Sequence, residues 1–143
     1  MDKENVNIGI VGLGFMAVMH IRAYRQVKGA NIAAICNPSG NRLNGDFSDV
    51  FGNLDSGDPV KLDMDQVKPY QNFQELLNDK AIDVIDICSP THTHLQLAKA
   101  ALASGKHVIC EKPLARTLKD AQEIATAAKK SNGKFMTAMC LRF

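Results

Sequence analysis

Tryptophan is missing from the sequence, and aromatic residues number only eight, two Tyr and six Phe. So few flat side chains argue against a base-stacking platform for single-stranded nucleic acid. A dominant charge is missing too, since 17 basic residues face 15 acidic ones and leave a net charge of +2. That balance provides no footprint for neutralising a phosphate backbone, so no nucleic-acid partner is expected. No apolar run approaches the roughly 20 residues needed to cross a bilayer, and no membrane partner is expected. The opening segment MDKENVN is charged and leads directly into a β-like run, without the apolar stretch of a secretory leader. The four cysteines, Cys36, Cys88, Cys110 and Cys140, stand 52, 22 and 30 residues apart with no C-x-x-C pair. This spacing disfavours a zinc or dithiol site. Each cysteine ends an apolar run such as NIAAIC or HVIC, and reads as a small buried hydrophobe in a reducing, cytoplasmic setting.

What is present describes one domain. A chain of 143 residues, 45% hydrophobic and 22% charged, can build a core without staples. Apolar runs at Asn7 to Val11, Ile32 to Cys36, Val67 to Tyr70, Ile82 to Cys88, His107 to Cys110 and Phe135 to Cys140 read as strands. Helical spacing separates most of them: Ala17, Ile21, Tyr24 and Val27; Phe73 to Asn78 behind an Asn72 cap; Leu95 to Ala103; and Thr117 to about Lys130 behind a capping box. Strand and helix alternate about five times, which predicts an α/β fold with a doubly wound, mostly parallel sheet. Residues 43–66 break the rhythm with six Asp, three Gly and one Lys. They are expected to start partly helical and continue as an exposed acidic loop, without the D-x-D-x-D-G spacing of a calcium loop.

Gly12-Leu13-Gly14-Phe15-Met16-Ala17 fits G-x-G-x-x-G/A, between a predicted strand and a predicted helix. In that position Gly12 permits a tight turn, Gly14 lets backbone approach a pyrophosphate, and Ala17 lets the helix pack close to the sheet. The amides of Phe15 and Met16 then open the helix N-terminus towards the phosphates. These are the marks of a Rossmann-type dinucleotide-binding fold. Twenty residues on, where an acidic residue commonly holds the adenosine ribose, stands Asn37. Asn37 does not repel a 2′-phosphate as Asp would, and Ser39 and Arg42 lie at the same corner. Arg42 is either a partner for such a phosphate or a solvated turn residue, so both NAD and NADP fit.

Two further clusters fall at the carboxyl ends of later strands, where ligands of open α/β sheets bind. One is Ser89-Pro90-Thr91-His92-Thr93-His94 and the other Glu111-Lys112-Pro113. Lys112 is placed to donate to a substrate oxygen. His92 and His94, two residues apart, are badly spaced for a metal, and no metal is expected. His20 shares a helix face with Ala17, Ile21 and Tyr24 and reads as a satisfied core histidine.

The glycine loop with His20, the segment Pro90 to His94, and Gly105 to Ala115 with its E-K-P together resemble the N-terminal domain of the Gfo/Idh/MocA family (glucose–fructose oxidoreductase, inositol dehydrogenase, MocA). The resemblance implies NAD(P)-dependent oxidoreduction of a sugar, polyol or related carbonyl compound. It implies that Gly12, Gly14 and Ala17 serve the pyrophosphate, that Lys112 is the catalytic lysine touching nicotinamide ribose and substrate, and that Glu111 and Pro113 shape the pocket. Of the family's P-N-x-x-H motif, Thr91 replaces the Asn while His94 keeps the His, and Asn37 stands in place of the commoner Asp. The resemblance covers residues 1–143 as a cofactor domain alone. It implies that a second domain, bearing the substrate pocket, a catalytic His and most of a homo-oligomer interface, lies outside this chain. Cofactor binding with negligible turnover is then the expectation for the isolated chain, with a non-catalytic NAD(P) sensor or scaffold as the alternative.

Overall fold

The computed structural model describes residues 5–50 and 58–142. Its elements run β1 (Val6–Val11), α1 (Phe15–Tyr24), β2 (Ala30–Cys36), β3 (Lys68–Tyr70), α2 (Phe73–Asn78), β4 (Val84–Ile87), α3 (His94–Ala103), β5 (His107–Glu111), α4 (Leu118–Lys130) and β6 (Phe135–Ala138). All neighbouring strands pair in parallel, in the order β3-β2-β1-β4-β5-β6. The order reverses at β1, so a crevice opens beyond the carboxyl ends of β1, β2 and β4. The doubly wound sheet read from the sequence is therefore the observed one. Among the described residues, no helix is long and apolar enough to cross a membrane.

Alternation along each strand divides the core in two. Val11, Ala34, Cys36, Ile85, Ile87, Val108 and Cys110 face α2, α3 and α4. Ile8, Ile10, Ile35 and Val84 face α1. The helix boundaries follow from local chemistry. The Asn72 side chain accepts from the Gln74 amide at 2.8 Å and starts α2. Thr117 accepts from the Asp120 amide at 3.1 Å and starts α4, whose last turn carries Lys129 and Lys130 against the helix dipole. Lys106, between α3 and β5, directs its buried ammonium at the carbonyls of Asp79 and Ile82, each 2.7 Å away.

Three expectations are corrected. No helix forms over the described part of the acidic insertion. Its flanks instead meet in an antiparallel bridge, Asp46 with Lys61, and both drive an apolar side chain into the α1 face of the core, Phe47 and Val60 at 2% exposure each. Leu43, Val50, Leu62 and Met64 pack against the same cluster, so apolar burial outweighs the solvated aspartates around them; residues 51–57 lie outside the described residues. Strand β6 ends at Ala138, and Cys140 leads a 3₁₀ turn over Cys140–Arg142, which leaves its thiol exposed while Cys36 and Cys110 are buried. Burial pushes the thiol of Cys36 up to about 11. Since Phe47 ties the insertion to the sheet, Phe47→Ala is expected to cost about 3–5 kcal/mol in urea unfolding, the range for a buried Phe. A loss below about 1 kcal/mol would show that the insertion is not anchored there.

Candidate cofactor site

Gly12 closes β1 at φ +85°, and a Cβ there would lie 2.5 Å from Ser89 Cα and 2.6 Å from Ser89 N. Neither strain nor clash is open to another residue, so the turn needs glycine. Gly14 differs. Its backbone is extended, it is exposed, and a Cβ would meet nothing within 4 Å. The space over Gly14 is thus held open without any protein atom requiring it. Gly14 is also the N-cap of α1, with no side-chain cap and no acidic residue in the first turn. Phe15 and Met16 begin the helix with unsatisfied N–H groups facing that space, the local arrangement that suits a phosphate. Ala17 is fully buried, its lack of bulk setting α1 against the sheet.

Gly12, Gly14, Phe15 and Met16 line one groove of about 480 Å³ together with Asn37, Ser39, Arg42, Ser89 and Pro90, while Ala17 stays behind it in the core. Asn41 and Cys88, which sequence reasoning passed over, line it too. At the β2 corner Asn37 shapes the turn, its amide donating to the Asn41 carbonyl at 2.9 Å and its Oδ1 accepting from the Ser39 amide at 3.4 Å. The Ser39 hydroxyl accepts from the Asn41 amide. Arg42, at φ +60°, is already engaged. Its guanidinium grips Asp49 through Nε at 2.9 Å and Nη2 at 2.7 Å, and Nη1 reaches the Leu13 carbonyl at 3.3 Å. The pair raises the Arg42 pKa and lowers that of Asp49. The expectation of an available Arg42 is corrected to this extent: a 2′-phosphate would have to displace Asp49.

At the ends of β4 and β5 the clusters are joined by His94, which is 1% exposed. Its ring nitrogens lie 2.9 Å from the Ser89 carbonyl and 3.2 Å from those of Pro113 and Leu114. His94 and the half-buried Thr91 stand behind the groove rather than in its wall, and Pro113 lies outside it. The Ser89 and Thr93 hydroxyls are hydrogen-bonded to each other at 2.6 Å. Lys112 is exposed, and among the described residues nothing pairs with its ammonium. It shares with Met16 and His20 the wall of an adjoining apolar groove of about 480 Å³, which β6 closes with Met136 and Ala138.

Glu111 points inward at 6% exposure. Its Oε2 accepts from the Lys112 amide at 2.9 Å, and its Oε1 lies 2.9 Å from His20 Nε2. His20 Nδ1 lies 2.7 Å from Asp86 Oδ2, which also accepts from the Tyr24 hydroxyl at 2.7 Å. Burial alone would lower the His20 pKa, but Asp86 and then Glu111 carry it above the ordinary value. Burial, reinforced by Asp86, raises the pKa of Tyr24 and of Cys88. His20, Asp86 and Cys88 offer atoms within 4.8 Å of one another. Those atoms are already hydrogen-bonded together, Cys88 Sγ standing 3.5 Å from His20 Nδ1 and 3.7 Å from Asp86 Oδ1, so the set reads as a hydrogen-bond network. Sequence reasoning found His20 satisfied but missed its partners. The signal was Asp86 itself, a charge inside the apolar run V-I-D-I.

Residues 6–139 match the family model GFO_IDH_MocA, described as an oxidoreductase family with an NAD-binding Rossmann fold. A levoglucosan dehydrogenase of Pseudarthrobacter phenanthrenivorans is 31% identical over 97% of this chain and 34% of its own length. An inositol 2-dehydrogenase of Salmonella paratyphi B is 33% identical over 90% of this chain and 34% of its own. The crystal structure of an Agrobacterium radiobacter oxidoreductase in complex with NAD+, L-tartaric acid and magnesium superposes with a TM-score of 0.78. It is 28% identical, over 96% of this chain and 36% of that one. The chain spans about a third of the length of these relatives. With a glycine loop, an open groove and a match of this extent, the chain belongs to the Gfo/Idh/MocA oxidoreductase family and carries its NAD-binding Rossmann fold.

Proposed function

We propose that this chain is the cofactor half of an NAD-dependent dehydrogenase acting on a CH–OH group of a sugar, polyol or related carbonyl compound. The observation that carries the reading is the open cradle over Gly14, where an added Cβ would meet nothing within 4 Å, in front of an uncapped helix N-terminus. The substrate class comes from relatives named for levoglucosan and inositol. Bound there, the nicotinamide supplies a ring that accepts or returns a hydride. The chain's own part is to bind and orient. The α1 amides hold the pyrophosphate, the turn at Asn37 and Ser39 takes the adenosine ribose, and Ser89 and Pro90 wall the middle of the groove.

Lys112, without a partner among the described residues, stands at the end of β5 and is our candidate catalytic residue, donating to the substrate oxygen as its charge changes. A sensor of the same fold would have no use for that free ammonium, which favours the enzyme. In this reading the substrate pocket and subunit contacts are not made by this chain, which spans about a third of its relatives' length. The chain alone is therefore expected to bind cofactor in the cytoplasm without turning over substrate.

Gly14→Val is expected to weaken NADH binding more than about tenfold, since the branched side chain fills the cradle. Its unfolding free energy should stay within about 0.5 kcal/mol of the parent, because nothing packs there. Nicotinamide fluorescence and urea unfolding measure the two, and unchanged affinity would remove the groove from consideration. Cofactor choice follows Asp49. NADH should bind more tightly than NADPH, and Asp49→Asn, by releasing Arg42, should narrow the gap about threefold to fivefold. A parent chain that prefers NADPH would contradict the NAD assignment.

A further inference from the structure

Beneath α1 lies a line of polar groups, Asp86, His20, Tyr24 and Glu111, that does not line the groove over Gly14. Asp86 is fully buried on β4 and Glu111 nearly so on β5. Alternation puts both on the α1 face, in step with Val84 and Ile109. His20 stands between them with a carboxylate oxygen at each ring nitrogen, at 2.7 and 2.9 Å. An ionised carboxylate only accepts hydrogen bonds. The other donors are accounted for, the Tyr24 hydroxyl and the Cys88 thiol to Asp86 and the Lys112 amide to Glu111. Two ionised carboxylates therefore require both ring nitrogens of His20 to donate, which makes the ring an imidazolium.

Glu111 is then fixed at both oxygens, one by the ring and one by the backbone N–H of Lys112. Strand order places β4 and β5 on the far side of β1 from β2. A dinucleotide with its adenosine at the β2 corner and its pyrophosphate over Gly14 extends its other half over β4 and β5, towards Lys112. We infer that His20 is a positioning residue for the nicotinamide half of the site: as a doubly protonated clamp between Asp86 and Glu111, it holds the Lys112 backbone through the Glu111 carboxylate. The inference rests on the cofactor reading above.

Asp86 faces the ring from β4, Cys88 from the turn after it, Glu111 from β5, and Tyr24 from one turn along α1. Lys112 and Cys140 share with His20, Tyr24 and Glu111 the wall of the adjoining apolar groove. The sign follows from the chemistry. The clamp is complete while the ring is charged, and the His20 pKa stands above the ordinary 6.5. As pH rises through the raised value the ring keeps one donor, one carboxylate loses its partner, and the clamp opens.

The test uses this chain in two steps. Nitrogen-15 NMR across the pH range reads the protonation of the His20 ring and the signal of the Lys112 amide. Both ring nitrogens should be protonated at pH 6, and the Lys112 amide should shift as the ring titrates. A neutral His20 ring at pH 6, or a Lys112 amide indifferent to the titration, overturns the inference without using cofactor at all. The second step compares NADH with ADP-ribose, which lacks the nicotinamide. His20→Gln is expected to weaken NADH about tenfold, one hydrogen bond's worth, and to leave ADP-ribose unchanged. Equal loss for both ligands, or loss for neither, rules out positioning. Should the variant not fold, the parent chain taken above the His20 pKa makes the same comparison. Failure of both ligands to bind the parent would instead sink the cofactor reading, while the coupling of His20 to Lys112 is still decided by the first step.

Discussion

Three strand ends converge on one residue without a side chain. The Gly12 amide donates to the Cys36 carbonyl at the end of β2, and beside it the Cys88 amide donates to the Val11 carbonyl at the end of β1. Ser89 sits where a Gly12 Cβ would have to be. This close approach lets β4 lie beside β1 to its last residue while the chain leaves the two strands in opposite directions. The crevice is the space between those departures, and the helix N-terminus, the Asn37 turn and the Ser89 loop take their places from it. A larger residue at Gly12 would push β4 away and separate the walls of the groove.

The two faces of the sheet do different work. The strand residues facing α2, α3 and α4, among them Val11, Ile85, Ile87 and Val108, are apolar. The face under α1 carries Asp86 and Glu111 among its aliphatic residues, with His20 and Tyr24 brought down to meet them. Buried charge of this kind is tolerated only when each lone pair and proton finds a partner, and among the described residues no buried polar side-chain atom lacks one. The network ends at the Lys112 amide, so the polar half of the core leads to the edge of the site.

Much of this was legible in the chain. The spacing of Gly12, Gly14 and Ala17, the caps at Asn72 and Thr117, and the alternation of runs are local signals, and local signals fix strands, helices and the parallel sheet. The contacts that give the site its character are not local. His20 meets Asp86 and Glu111 across 66 and 91 residues. Which face of β4 carries Asp86 is known only once α1 is known to cover that face. His94 read as a member of the site and is 1% exposed, its ring nitrogens set against the carbonyls of Ser89, Pro113 and Leu114. Phe47 and Val60 were hidden by the aspartates around them, since composition averages over the positions that matter. Arg42 was judged by its place near the corner, without sight of Asp49 seven residues on.

The His94 bridge has a bearing on how tightly a ligand can be held. Wedged between the Ser89 carbonyl and those of Pro113 and Leu114, one buried ring packs the loops after β4 and β5 into a single wall. A groove whose loops must first be ordered surrenders part of its binding energy to their lost freedom. Here that ordering is complete at the folding of the domain, before any ligand arrives. The far wall of the groove is preorganised, and association can be close to a rigid-body event on that side.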